Sequence, residues 1–208
     1  MKIKVCGNTP ANDLKAYLQI AVDMLGFIFY PPSARNVDDK INELSETLPA
    51  IKQKRVGVFV NPDRGRVYKI NEQLNLDIVQ LHGEESPKVC RELSSAFSIM
   101  KAFRLSSSFD FEVLREYEEV CDYFLFDTKG PLPGGNGVPF DWSILGKYTL
   151  SKPFFLSGGI HPGMADQIRK FKHPAFSGID INSGFEFKPG HKNMEAISNF
   201  INQLKLQT

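Results

Sequence analysis

The sequence predicts an α/β fold of one domain, residues 1–208, closed as a compact (β/α)₈ barrel of the TIM type with short loops. Three observations carry this. Eight short apolar runs of strand composition recur along the chain, and amphipathic, helix-patterned stretches fall between them. No composition shift, low-complexity segment or linker divides the sequence. Alternating strands and helices of this kind build a parallel sheet, and eight units can close it.

The elements follow in order. The first run, residues 2–6, leads to a helical pattern at 12–25. The second run, 26–30, is followed by a helix at 38–48, and the third, 55–60, by a helix at 64–74. Runs at 77–81 and 98–103 precede helices at 87–96 and 109–117. The sixth run, 123–127, precedes a helix starting near Asp141; those at 154–157 and 178–181 precede helices starting near Pro162 and Asn193. Eight units in 208 residues leave about 25 residues each, tighter than the ~250-residue norm for this barrel, so connections must be short. An open doubly wound sheet is the rival fold. It predicts a nucleotide-type glycine fingerprint after the first strand, and Cys6-Gly7-Asn8-Thr9 is not one.

Composition narrows the function. Hydrophobic residues make up 42% and charged residues 24%, ordinary for a globular protein, and the net charge of +1 argues against a general nucleic-acid binder. No apolar run approaches a membrane span, and the first residues turn polar too soon for a signal peptide. Cys6, Cys90 and Cys121 are an odd set without metal-type spacing, which points to free thiols in a reducing cytoplasm and to no metal.

In either fold, ligands bind beyond the carboxyl ends of the strands. Those ends read Cys6-Gly7, Pro31-Pro32-Ser33-Ala34-Arg35, Gln80-Leu81-His82-Gly83, Phe126-Asp127-Thr128, Ser157-Gly158-Gly159 and Asp180-Ile181-Asn182-Ser183-Gly184. Lys4 and Cys6 share one strand face, as do Gln80 and His82. A polar residue at a strand end is commonly only the start of a loop. Six such ends carrying a thiol, a guanidinium, an imidazole and two carboxylates point instead to a site. Gly158-Gly159, just before a predicted helix, and Ser183-Gly184 lie after the seventh and eighth strands, where this barrel commonly binds phosphate. The glycine-rich segment at 133–137 reads as either a lid or a connector.

Taken together, Lys4-Val5-Cys6-Gly7, Ser33-Ala34-Arg35, Gln80-Leu81-His82-Gly83, Phe126-Asp127-Thr128, Leu156-Ser157-Gly158-Gly159 and Asp180-Ile181-Asn182-Ser183-Gly184 resemble the successive signatures of the phosphoribosylanthranilate isomerase family. Pro189-Gly190-His191-Lys192 extends the match, which runs in order over nearly the whole chain. The resemblance implies an Amadori rearrangement in tryptophan biosynthesis, without metal or organic cofactor. It implies that Asp127 is the general acid, Cys6 the general base and Arg35 the ligand of the anthranilate carboxylate. Asp180 would contact substrate polar groups, and Gly158, Gly159, Ser183 and Gly184 the phosphate. His82 is expected to bind substrate, act in catalysis or be structural; Glu186 and Lys192 are expected to pair and brace a loop; Cys90 and Cys121 read as structural or incidental.

The implied partner is a small phosphorylated substrate, with no nucleic acid and no membrane. A monomer is the default and a homodimer the alternative. Rival functions are another phosphosugar barrel isomerase or lyase, or a barrel that binds a phosphometabolite without turnover. At neutral pH an unshifted cysteine is about 3% thiolate and an unshifted aspartic acid about 0.1% protonated, so both groups need tuning. Lys4 is expected to favour the Cys6 thiolate, and the apolar run before Asp127 to favour its neutral acid.

Overall fold

The strands β1 (Lys2–Val5), β2 (Met24–Phe29), β3 (Lys54–Phe59), β4 (Ile78–Leu81), β5 (Ser98–Leu105), β6 (Tyr123–Thr128), β7 (Phe154–Ser157) and β8 (Phe176–Ile181) pair in parallel, in sequence order. Pairing of β8 with β1 closes the barrel. The computed structural model describes residues 1–128 and 142–206. Each predicted run coincides with a strand, and no end differs by more than two residues. The segment at 133–137 lies outside the described residues.

Strand alternation separates two cores. Met24, Val56, Val58, Ile78, Met100, Ala102, Leu125 and Phe155 fill the barrel together with Cys6. On the opposite faces, residues such as Val5, Phe27, Val79, Ile99, Phe124 and Ile179 pack under the helical layer. Cys90 and Cys121 belong to this outer core, in keeping with a structural role. The barrel interior also buries Lys4, Gln80 and Asp180.

Outside the strands run α1 (Ile41–Thr47), α2 (Arg64–Leu74), α3 (Pro87–Ser94), α4 (Ala165–Lys170) and α5 (Met194–Lys205). The bounds of α2 match the predicted 64–74, and the Asp63 side chain accepts from the Arg66 N–H at its start. Asn193 caps α5 in the same way, through Ala196 N–H at 3.0 Å. The helix expected at 12–25 is a correction. Only a 3-10 turn, Leu14–Gln19, forms there, and Met24 and Leu25 belong to β2. Asp23 is held extended because its backbone N–H and its carboxylate bind the two sides of Ile3. That fixes the start of β2 before a helix could reach it.

The predicted 109–117 helix is likewise a 3-10 segment, Phe111–Tyr117, as is Trp142–Lys147 after β6. A 3-10 segment advances about 2.0 Å per residue against about 1.5 Å for an α-helix. Short crossovers can therefore return the length of a strand with few residues. Closure of the parallel barrel gathers the strand ends at one mouth.

Candidate active site

The site begins on neighbouring strands β1 and β8, whose register sets Lys4 beside Asp180. Lys4 Nζ donates to Asp180 Oδ2 at 2.9 Å, with side chains 0% and 4% exposed. Two residues after Lys4, just past the end of β1, the Cys6 thiol faces the same ammonium. Gly26 on β2 makes the room: a Cβ there would lie 3.0 Å from Cys6 Sγ and 3.1 Å from Lys4 Nζ. Burial pushes the Cys6 thiol up, Lys4 and Lys192 pull it down, and Asp180 pushes it up again. The net direction is upward. The expected depression by Lys4 is therefore present and outweighed, because the same packing that brings Lys4 to the thiol removes water from it.

Burial also pushes the Asp180 carboxyl up, against Lys4. For Lys4, burial alone would favour the neutral amine, and the Asp180 and Cys6 charges more than offset it.

Across the mouth, β4 and β6 supply a second group. Gln80 Nε2 lies 2.9 Å from His82 Nδ1, and His82 Nε2 lies 3.3 Å from Asp127 Oδ2. An amide nitrogen only donates, so in this orientation Nδ1 accepts and Nε2 carries the proton that points at Asp127. Asp127 is 28% exposed, so its carboxyl is partly withdrawn from water. The run's phenylalanines Phe124 and Phe126 face the outer core, whereas Asp127 continues the inward face of Leu125. Two buried oxygens, Gln80 Oε1 and Asp180 Oδ1, have no hydrogen-bond partner among the described residues.

The loop after β4 is fixed by a buried pair that sequence reasoning missed. Glu85 accepts from the N–H groups of Gly83 and Asn61, at 2.9 Å and 2.8 Å, and pairs with Lys101 at 3.1 Å. Lys101 in turn donates to Gly83 O at 2.8 Å. The only cue was a lysine on the outward face of a buried strand.

The loops that carry the two glycine segments meet where Gly184 packs on Ile160 and His161. Gly158 and Gly159 adopt φ of 83° and 66°, a left-handed region that favours glycine, and Gly159 has open space where a Cβ would point. Gly184 packs so closely on Ile160 O and His161 that no side chain fits. Ser183 and Gly184 lie in a 3-10 turn, Ser183–Phe185, beside the start of the Pro162–Met164 turn that leads into α4.

Arg35, from the loop after β2, does not reach freely into the mouth. Its Nε and Nη2 grip Glu186 at 2.9 Å and 2.6 Å. Glu186 also receives Lys192 Nζ at 2.7 Å, so the expected Glu186–Lys192 pair is present with Arg35 as a third member. Both residues come from an antiparallel hairpin, β9 (Glu186–Lys188) and β10 (His191–Lys192), that follows β8. The hairpin did not show in the sequence because its strands are only three and two residues long.

A family model described as N-(5'-phosphoribosyl)anthranilate (PRA) isomerase matches residues 3–203. The chain belongs to the phosphoribosylanthranilate isomerase family. A relative of that name from Parabacteroides distasonis is 45% identical over 98% of this chain and 93% of its own length. The family's solved barrel from Thermotoga maritima superposes with a TM-score of 0.82 at 32% identity, covering 99% of this chain and 98% of that one. A further family structure, at TM-score 0.81 and 31% identity over 99% and 98% of the two chains, is a complex with reduced 1-(o-carboxyphenylamino)-1-deoxyribulose 5-phosphate. Among the described residues no group of three or more His, Cys, Asp or Glu could hold a metal ion, and no helix is long and apolar enough to cross a membrane.

Proposed function

We propose that this chain converts N-(5-phosphoribosyl)anthranilate to 1-(2-carboxyphenylamino)-1-deoxyribulose 5-phosphate, with Asp127 as general acid and Cys6 as general base. Asp127 gives its proton to the furanose ring oxygen as the bond from that oxygen to C1 breaks, and the anthranilate nitrogen lone pair forms the iminium. The Cys6 thiolate then removes the proton from C2. The C2–H electron pair becomes the C1–C2 double bond, and the C=N pair returns to nitrogen as an enolamine. Transfer of the enol proton to C1 gives the ketone. The steps as written use no metal or organic cofactor.

The observation that carries this reading is the pairing of a buried thiol beside Lys4 with a part-exposed carboxyl beside His82, in a chain of this family. Burial pushes the Cys6 thiol up, and Lys4 and Lys192 offset part of that in favour of the thiolate that the base requires. The unpartnered Asp180 Oδ1 and Gln80 Oε1 suit the hydroxyl donors of the ribose chain. Gly158, Gly159, Ser183 and Gly184 are the natural seat of the phosphate, since glycine backbone lets N–H groups approach an anion closely and turn starts favour negative charge. His82 holds Asp127 in place, and Arg35 meets the anthranilate carboxylate. A free thiol base suits a reducing cytoplasm.

Loss of phosphoribosylanthranilate fluorescence on adding purified protein tests the reaction. Cys6→Ala and Asp127→Asn should each abolish most turnover and still bind the reduced product. Near-wild-type turnover in Cys6→Ala would remove the proposed base.

A further inference from the structure

Arginine carries five N–H donors in a planar fork. In Arg35, Glu186 takes the Nε edge: Nε lies 2.9 Å and 3.0 Å from the two carboxylate oxygens, and Nη2 lies 2.6 Å from Oε2. That leaves both Nη1 protons and the second Nη2 proton. The Nη1 and Nη2 protons at the outer end form a second fork of the same width, suited to another carboxylate. Arg35 is 20% exposed while Glu186 is 3% and Lys192 0%, so the open part of this trio belongs to the arginine.

We propose that Glu186 is a positioning residue that holds Arg35 side-on, so that the outer edge of the guanidinium is presented to the substrate's aromatic carboxylate. The inference rests on the proposed function above, in which the ligand carries that carboxylate. Two further features support it.

Glu186 is itself immobilised. Lys192 Nζ donates to it at 2.7 Å and to Asn182 Oδ1 at 2.7 Å, and the Gly190 N–H approaches it at 3.3 Å. The hairpin is anchored in turn by Thr9 Oγ1 donating to Gly190 O at 2.9 Å and by Lys192 N–H donating to Asn12 Oδ1 at 2.8 Å. Glu186 is buried, but its hydrogen bonds from Arg35 and Lys192 outweigh that burial and hold its carboxyl low, so it stays ionised. Charge is the second feature. Arg35 and Lys192 share one carboxylate, which leaves a net positive charge whose exposed edge is the arginine's. A ligand anion completes the set. The alternative is a purely structural staple between the loops after β2 and β8, which would be indifferent to the ligand's carboxylate.

Calorimetric titration separates the two, using the reduced product and its counterpart lacking the ring carboxylate. Wild-type protein should prefer the carboxylated ligand. In Glu186→Gln that preference should fall by about tenfold to a hundredfold, the range for a hydrogen bond to a charged group. Affinity for the counterpart should stay within about twofold, since its contacts do not involve Arg35. Glu186→Asp keeps the charge but withdraws the acceptor by one methylene, so the same selective loss should appear in smaller measure. Should Glu186→Gln fail to fold, Glu186→Asp decides alone. Equal loss for both ligands, or loss for neither, overturns the positioning role. A wild-type protein that binds neither ligand overturns the function on which it rests.

Discussion

Replacing Lys4 with methionine removes the cation bonded to Asp180 and leaves a carboxylate that is 4% exposed, whose second oxygen has no partner among the described residues. Methionine matches the length of the lysine stem, so packing changes little and the effect is electrostatic. Breaking a buried pair by deleting one partner costs about 3–5 kcal/mol. For a chain of this length each kcal/mol lowers Tm by about 2–4 °C, so the expected fall is about 6–20 °C. Asp180→Asn should also destabilise, because it strands the ammonium. The double variant Lys4→Met, Asp180→Asn leaves neither charge behind, and its loss should be smaller than the sum of the singles by about 2–3 kcal/mol.

The pH dependence has a definite sign. Asp180 is already raised by burial, and loss of Lys4 raises it further. Its folded form then binds a proton that the unfolded chain releases at an ordinary aspartate pKa of about 3.9. Stability from this group is therefore full below that value and lost as pH rises through the raised folded pKa. The deficit of Lys4→Met relative to wild type should shrink by up to about 1.4 kcal/mol per unit as pH falls from the variant's raised folded pKa to the lower folded pKa of the wild type. Urea unfolding of wild type, both singles and the double at several pH values reads both quantities. Additive losses at neutral pH, or a deficit that grows on acidification, would refute the reasoning.

Other expectations follow from the same geometry. Gly159→Asp meets no neighbour, and aspartate tolerates the left-handed backbone, so the fold should persist while the added charge repels phosphate; unchanged calorimetric affinity for the reduced product would move the phosphate elsewhere. Gly26→Ala must displace Cys6, at both Sγ and Cα, and Lys4 Nζ by a few tenths of an ångström; stability should fall by about 1–3 kcal/mol and turnover more than product binding, as kinetics beside titration will read. Because the Cys6 thiol is pushed up, its alkylation rate should keep climbing above the ordinary thiol pKa of about 8.5, and bound product should protect it, which mass spectrometry of the labelled thiols checks. Gln80→Leu frees His82 Nδ1 to take the proton and should lower kcat about tenfold or more with little change in KM, a split that steady-state kinetics resolves.

Much of this protein was legible in one dimension. Buried parallel strands are short continuous apolar runs, and that signal is local, so all eight strands and the polar residues at their ends could be read directly. Their convergence follows from closure of the barrel alone. The connections were less legible. An amphipathic pattern at 12–25 cannot report that Asp23 is pinned extended by Ile3, nor can the one at 109–117 report that its crossover winds as a 3-10 segment.

The site divides the same way. Residue types and strand ends gave Cys6, His82, Asp127 and Asp180, because side-chain alternation is a property of the strand. Only the tertiary structure decided their partners. Arg35 and Glu186 are 151 residues apart in sequence and Lys4 and Asp180 are 176 apart, and no local pattern encodes such a meeting. The direction in which Cys6 is shifted was decided there too. The sequence supplied the nearby lysine, but the loss of water that opposes it is a consequence of how eight strands pack around one thiol.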